Sequence, residues 1–319
     1  MKILCIGMMV CDTLISPVPS NILELDSVSI DKPSVSCGGD ALNVAVGLAK
    51  LNNPVSIIGR IADDLNGRFI LDECSKYGID ASGVVMDEEC ATAASYALID
   101  KKGERHFLSE KSIFARLSGD DVDRKYIEDA DIVYVGSTMA LRKMDETGIR
   151  DVFSYARSRG KMTVMDAAIN VEDPERDWLA YLSPAFAQTD VFFPSLSEAV
   201  KITGETDPEK IAEYFREFPM KIFGIKMGGA GCFVTDFKEK RYIECPKNMP
   251  VVDTTGAGDS FMAGLISGLA RGMNVFSATE FATCVATKNV GVVGGTAGIP
   301  NYEEAFGFYQ IYHAGLEDK

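Results

Sequence analysis

The sequence predicts an α/β protein: a central, mostly parallel sheet flanked by helices, with a small inserted β-sheet. Three observations carry this. Short Val/Ile-rich runs alternate with helix-period segments over most of the 319 residues. Those runs are continuously apolar, as strands buried on both faces are. Two segments in the first half break the rhythm with short alternating strands and turns.

Taken in order, the strand segments are 2–9 (KILCIGMM), 55–61 (VSIIGRI), 131–136 (DIVYVG), 161–166 (KMTVMD), 190–193 (DVFF) and 222–227 (IFGIKM). Helical periodicity marks 40–51, 66–77 and 146–158 between them. The irregular segments are 14–36 and 91–110, the second with DKKGE as a hairpin connection. They predict a small sheet lying over one large domain that spans 1–319. No internal repeat or low-complexity linker divides the chain. In parallel sheets, ligands bind beyond the carboxyl ends of the strands, in loops that lead into helices.

Composition removes several function classes. Hydrophobic residues make up 46% and charged residues 25%, as in ordinary globular proteins. Formal net charge is −15 with a pI near 4.7, and no Lys/Arg cluster offsets it. That balance disfavours nucleic acid or an anionic membrane surface as partner. The apolar N-terminus is interrupted by Asp12, and no run approaches the roughly 18 apolar residues of a membrane span. Cys5, Cys11, Cys37, Cys74, Cys90, Cys232, Cys245 and Cys284 contain no C-x-x-C pair. His106 and His313, the only histidines, lack ligand spacing. This usage predicts reduced thiols in a cytoplasmic protein, without a zinc site.

Two glycine-rich helix starts remain. In SCGGDALNVAVGLAKL (36–51), Gly38-Gly39 precede a helix with Leu42, Ala45, Val46 and Ala49 as its apolar stripe. Asp40 and Asn43 lie on one face of its first turn. Capping alone explains Asp40. It does not explain the double glycine or the amide one turn on, which together suit a hydroxyl-rich ligand. In DTTGAGDSFMAGL (253–265), Gly256-Ala257-Gly258 opens a second helix, and its backbone N–H groups form an anion site. Capping needs neither both glycines nor the small residues Ala263, Gly264, Ser267 and Gly268. A phosphoryl group on the loop amides, with Asp259 taking a proton from an attacking hydroxyl, accounts for the motif. No G-x-x-x-x-G-K-[ST] and no complete dinucleotide fingerprint is present. KMGGAGCF (226–233) reads as strand, glycine turn, strand.

The two motifs, in this order and this far apart, resemble the PfkB/ribokinase family of carbohydrate kinases over essentially the whole chain. The resemblance implies a ribokinase-like fold in which the small sheet is a lid. It implies ATP-dependent phosphoryl transfer to a hydroxyl of a small sugar of ribose, fructose or sugar-acid type. Asp259 would be the catalytic base, and Gly256, Ala257 and Gly258 the anion hole. Asp12, Gly39, Asp40 and Asn43 would bind acceptor hydroxyls. Lys226, Gly228 and Gly231 would lie near the ATP, with Lys288 and Asn289 of the final helix bordering the adenine. Glu198 would orient a Mg²⁺-bound water. Asp253 and Thr255, with carbonyls near Gly294, would hold a monovalent cation such as K⁺. Homodimers through the lid are implied as well.

Three departures stand out. PSLSEA keeps Glu198 but has Ser195 where the family often has asparagine. Residues 112–115 read SIFA instead of Gly-Ala-Asn after the lid strand. MDAAIN (165–170) retains Asp166 without the arginine that often follows it. The last two bear on the substrate. A nucleoside acceptor, with Phe107 or Phe114 against its base, is an alternative on the same scaffold. A non-catalytic sugar sensor is a third reading, opposed by the presence of Asp259 and the glycines. An NAD-linked dehydrogenase lacks its phosphate fingerprint.

Overall fold

The computed structural model describes residues 1–102, 104–168 and 176–317. In chain order the first elements are β1 (Ile3–Ile6), β2 (Val10–Ile15), β3 (Ser34–Gly38), α1 (Asp40–Lys50), β4 (Val55–Ile58) and β5 (Arg60–Ala62). Then follow α2 (Leu65–Lys76), β6 (Val85–Asp87), β7 (Ala94–Ile99), β8 (Arg105–Glu110), α3 (Arg124–Asp129), β9 (Ile132–Thr138) and α4 (Ile149–Ser158). The next group is β10 (Met162–Ala167), α5 (Trp178–Phe186), β11 (Val191–Phe192), α6 (Leu196–Thr203), α7 (Pro208–Phe215) and β12 (Ile222–Lys226). The chain closes with β13 (Cys232–Thr235), β14 (Lys240–Ile243), α8 (Ala257–Ala270), α9 (Val275–Asn289) and α10 (Tyr302–Glu317).

The large sheet has the order β14-β13-β12-β11-β10-β9-β1-β4. It is parallel from β4 to β12, and β13 and β14 continue it antiparallel. Alternation along β1 explains why the runs are wholly apolar. Ile3 and Cys5 join a core built with α1, α8 and α9, while Leu4 and Ile6 join a second core built with α3–α7. Each face of the strand is buried, so no position is left to be polar.

The small sheet has the order β3-β2-β7-β8. Its first strand begins at Val10, earlier than the predicted segment, so Asp12 lies within a strand rather than in a loop after β1. Residues 22–24 form a single helical turn instead of extended chain. The helix predicted from 146 begins as one wide turn over Met144–Gly148. β5 and β6 form a separate two-stranded pairing that periodicity did not mark.

The small residues of α8 have a packing explanation that capping and ligand binding do not supply. A Cβ on Gly264 would fall 2.7 Å from the Cα of Ala282. Across the other side, Gly47 would meet the Cβ of Ala263 at the same distance. α8 is thus wedged between α1 and α9 at backbone contact, which fixes the height of its N-terminus over the sheet.

Among the described residues, no helix is long and apolar enough to cross a membrane. All eight cysteines are unpaired, and six of them are buried. No group of three or more His, Cys, Asp or Glu is arranged to hold a metal ion among the described residues.

Candidate active site

Both glycine motifs reach the same place. Gly7 follows β1, Ser137 is the penultimate residue of β9, and α1 starts against both: a Cβ on Gly7 would lie 2.9 Å from the Cβ of Ala41 and 3.1 Å from the Ser137 hydroxyl. α8 starts beside α1. The amide Nδ2 of Asn43 donates to Oδ2 of Asp259 at 2.7 Å, joining residues 216 apart in sequence.

The start of α8 depends on Gly256. Its φ is +69°, and a side chain there would meet the Gly295 carbonyl oxygen at 2.0 Å. Only glycine suits that conformation at that distance. Ala257 donates its N–H to the Thr254 carbonyl at 3.2 Å. The N–H groups of Gly256 and Gly258 have no acceptor among the described residues, so of the three expected amides these two are open to an anion. The Lys226 ammonium lies close by: a Cβ on Gly258 would be 3.5 Å from its Nζ. Lys226 also pairs with Oδ2 of Asp166 at 2.5 Å, joining the ends of β12 and β10.

Asp40 is anchored by one oxygen. Its Oδ1 accepts from its neighbour Ala41 N–H at 2.8 Å and from the Ser137 hydroxyl, which itself accepts from Met8 N–H at 3.2 Å. Its other oxygen, Oδ2, is buried with no partner, as is Oδ1 of Asn43. Buried polar atoms are seldom left so, and both atoms can accept from a hydroxyl or N–H donor. The Tyr134 hydroxyl is also buried and unpartnered. A Cβ on Gly136 would lie 2.8 Å from it and 3.0 Å from Asp40 Oδ2. Asp12 approaches from the small sheet, its Oδ2 2.0 Å from where a Gly38 Cβ would be. Gly39 forms the link between β3 and α1.

The charges in this cluster perturb one another. Burial pushes Asp12 up to about 6, and the Asp259 carboxylate adds to the shift. Asp40 rises to about 7 by the same two causes, against the opposing hydrogen bond from Ser137. Asp259 itself is raised by burial, tempered by the Asn43 amide and Lys226. Burial alone would lower Lys226, but Asp166 and Glu198 outweigh it and keep the ammonium charged.

A cavity of about 340 Å³ opens beside the α8 start. Lys226, Gly228 and Gly231 form one wall, Ala257 and Gly258 the end near Asp259, and Thr283, Ala286, Thr287 and Val290 the far side. The placement of Lys288 and Asn289 on the final helix needs correction. They belong to α9, the penultimate helix, and neither lines this cavity. Lys288 stands 4.4 Å over the Phe308 ring. Asn289 is buried and clamps the following loop, donating to the Gly295 carbonyl at 2.8 Å and accepting from Gly298 N–H at 3.0 Å. The α9 positions that face the cavity are Thr283, Ala286, Thr287 and Val290. A larger cavity, of about 630 Å³, lies between Ser118–Val122 and the start of α4 and shares no lining residue with the glycine loops.

The remaining predicted residues are structural in part. Glu198 and Ser195 form a reciprocal cap on α6: Glu198 Oε2 accepts from Ser195 N–H at 2.7 Å, and the Ser195 hydroxyl accepts from Glu198 N–H at 3.3 Å. The serine that departs from the usual asparagine is thus the residue that starts the helix. Asp253 accepts from Thr255 N–H and hydroxyl through Oδ1, at 3.0 and 2.7 Å, and from Gly294 N–H through Oδ2 at 3.0 Å. It ties the α8 entry loop to the loop that Asn289 clamps. Ile169 and Asn170 of MDAAIN lie outside the described residues.

A family model described as pfkB family carbohydrate kinase matches residues 1–301. The chain belongs to the pfkB family of carbohydrate kinases. It is 28% identical over 281 residues to a 2-dehydro-3-deoxygluconokinase of Bacillus subtilis, covering 86% of this chain and 87% of that protein. In fold it is similar to a fructokinase with bound ATP from Xylella fastidiosa, with a TM-score of 0.84, 19% identity, and coverage of 98% and 99% of the two chains. A ribokinase of Arabidopsis thaliana complexed with ribose and ATP superposes with a TM-score of 0.80 at 19% identity, covering 97% of this chain and 98% of that one. The fold is ribokinase-like, and this pfkB kinase is an ATP-dependent phosphotransferase.

Proposed function

We propose that this pfkB kinase transfers the γ-phosphoryl group of ATP to a hydroxyl of a small sugar of ribose, fructose or sugar-acid type, with Asp259 as general base. The observation that carries the reading is the meeting of two helix starts. The Asn43–Asp259 hydrogen bond sets a carboxylate between a cluster of unpaired acceptor atoms and a pair of open helix amides. Asn43 occupies one oxygen of Asp259 and aims the other at the acceptor hydroxyl. Burial raises its affinity for that proton, which improves the driving force for abstraction. The developing negative charge meets the Gly256 and Gly258 N–H groups, the helix dipole and the Lys226 ammonium.

Asp12, Asp40 and Asn43, on the Gly39 turn, hold the acceptor through its hydroxyl protons. The nucleotide fits the 340 Å³ cavity, with its phosphates toward Gly258 and its base among the small side chains of α9. The donor set suits Mg²⁺ held chiefly by phosphate oxygens, because Asp166 is paired with Lys226 and the cap of Glu198 leaves one oxygen for a bridging water. A monovalent cation such as K⁺ would sit at the Asp253–Thr255 loop, where it would stiffen the α8 entry. The small sheet would close over the acceptor and exclude water.

A second copy would pair through the exposed face of that sheet, where the cross-strand partners Tyr96 and Leu108 are solvent-facing. A monomer by sedimentation at micromolar concentration would remove the dimer. One observation favours a nucleoside acceptor as a second reading: Phe107 is exposed on the Asp12 face of the small sheet, where a base could stack. The test of the function is ADP release with Mg²⁺-ATP across sugars and nucleosides. Turnover with one acceptor class supports the reading; ATP binding with no acceptor turned over opposes it.

A further inference from the structure

A bulge near the end of β9 turns an extra side chain toward Asp40, and we infer that Ser137 is a positioning residue for acceptor binding, its hydroxyl fixing which oxygen of Asp40 is free to take an acceptor hydroxyl. The inference rests on the preceding reading of Asp40 as an acceptor ligand.

Side chains of β9 alternate between the two cores as far as Val135. Ile132 and Tyr134 join the core built with α1 and α8, and Val133 and Val135 join the other. Alternation would return Gly136 to the α1 side and send Ser137 away from it. The ladder to β10 shifts there instead. Val135 pairs with Met165 and Thr138 with Ala167, so Gly136 and Ser137 together oppose Asp166. Such a bulge re-aims a side chain. A Cβ on Gly136 would lie 3.0 Å from Asp40 Oδ2, and the Ser137 hydroxyl donates to Asp40 Oδ1. Two successive residues thus face the start of α1.

The bulge holds Ser137 at a φ of +62°, a conformation that glycine adopts freely and other L-residues adopt at a cost. The glycine of this pair stands one position earlier, where a side chain would crowd the Tyr134 hydroxyl at 2.8 Å. Serine keeps the strained position and is fully buried there. Strain of this kind persists where surrounding contacts over-determine the residue. The Ser137 hydroxyl supplies them. It accepts from Met8 N–H at 3.2 Å, so its one proton is directed to Asp40 Oδ1. Ala41 N–H donates to the same oxygen at 2.8 Å, and Oδ2 is left without a protein partner.

These contacts also favour the ionised carboxyl. Burial and then Asp259 raise Asp40, and the hydrogen bonds from Ser137 and Ala41 oppose the rise. The titratable groups around it are Asp259 of α8, Tyr134 of β9 and Asp12 of the small sheet, with Lys226 acting on Asp259. None of them replaces the Ser137 hydroxyl as a donor to Oδ1. Without it, Asp40 should hold its proton to higher pH.

The test compares wild type, Ser137→Ala and Ser137→Gly as full chains, with Mg²⁺-ATP and ribose, fructose, 2-dehydro-3-deoxygluconate and adenosine as acceptors. Alanine removes the hydroxyl and keeps the backbone strain. Glycine removes both, which keeps the test readable if the alanine variant does not fold. With the productive acceptor, each folded variant should raise the acceptor KM about 10-fold and leave the KM for ATP unchanged. The acid limb of kcat/KM should move to higher pH in both. An acceptor KM and an acid limb that stay at their wild-type values in folded Ser137→Gly would make the hydroxyl a brace for the fold alone; that result overturns the inference and leaves the kinase reading intact. ATP binding without ADP release from any of the four acceptors overturns the reading of Asp40 as an acceptor ligand, and the inference with it.

Discussion

Asp40→Asn should make the protein more stable at alkaline pH while weakening its acceptor binding. The wild-type carboxyl is lifted from 3.8 to about 7, first by burial and then by Asp259. The folded state therefore holds this proton more tightly than the unfolded chain does. Between about pH 4 and 7 the folded form binds more protons, so the Asp40 contribution to stability falls as pH rises through that window. The shift corresponds to at most ~4 kcal/mol of destabilisation at pH 8. Reorganisation of the surrounding dipoles, which gives buried sites an effective dielectric well above that of dry protein, reduces this to about 2 kcal/mol. Asparagine keeps an oxygen for the Ala41 N–H and the Ser137 hydroxyl, removes the charge, and puts an NH2 in place of the unpartnered Oδ2. With an unfolding entropy of roughly 2.1 cal/mol/K per residue, 2 kcal/mol in this chain corresponds to a Tm rise of about 3 °C. Thermal unfolding of both proteins from pH 4.5 to 8.5 is the assay. The gain should be largest at pH 8 and fall to about a quarter of that at pH 4.5. A variant less stable at pH 8, or a difference that grows toward acid, would refute the reasoning.

Turnover should share this titration in the opposite functional sense. Asp12 and Asp40 bind hydroxyl donors best when ionised, so kcat/KM should fall as pH drops through about 7 and 6 rather than near 4. A flat profile from pH 5 to 8 would contradict this. Gly256→Ala should lower Tm and cut turnover at least about 10-fold, since the left-handed conformation alone costs roughly 1–2 kcal/mol and the added Cβ meets the Gly295 oxygen at 2.0 Å. Unchanged melting and turnover would show that the loop tolerates the methyl group.

The layered fold was readable because burial on both faces leaves a local trace. β1, β9 and β12 each announce themselves as unbroken apolar runs, and Asp40, Asn43 and Asp259 sit at helix starts that glycine marks in the chain. Other features depend on contacts that one segment does not encode. Ser137 earns its place through a φ of +62° near the end of β9, between Met8 and Asp40, and a serine in a strand carries no such signal. Ser36, Ser95 and Ser109 become a row only once strand register is known. Asn289 reads as a helix-end amide near a ligand, yet it clamps a loop from within the core. The small residues of α8 suggest ligand contact in sequence and are explained by α1 and α9 in three dimensions. Tyr134 lies in a strand like any core tyrosine; only its unpartnered hydroxyl beside Asp40 distinguishes it.

The most direct test of the central claim is the rate of ADP release by wild type and Asp259→Asn, with Mg²⁺-ATP, K⁺ and the acceptor found productive, alongside acceptor binding by calorimetry. Asparagine keeps an oxygen to accept from Asn43 but cannot take the hydroxyl proton. If Asp259 is the base, turnover falls by roughly 10²–10⁴-fold while acceptor binding persists. Near-normal turnover in the variant would contradict that role.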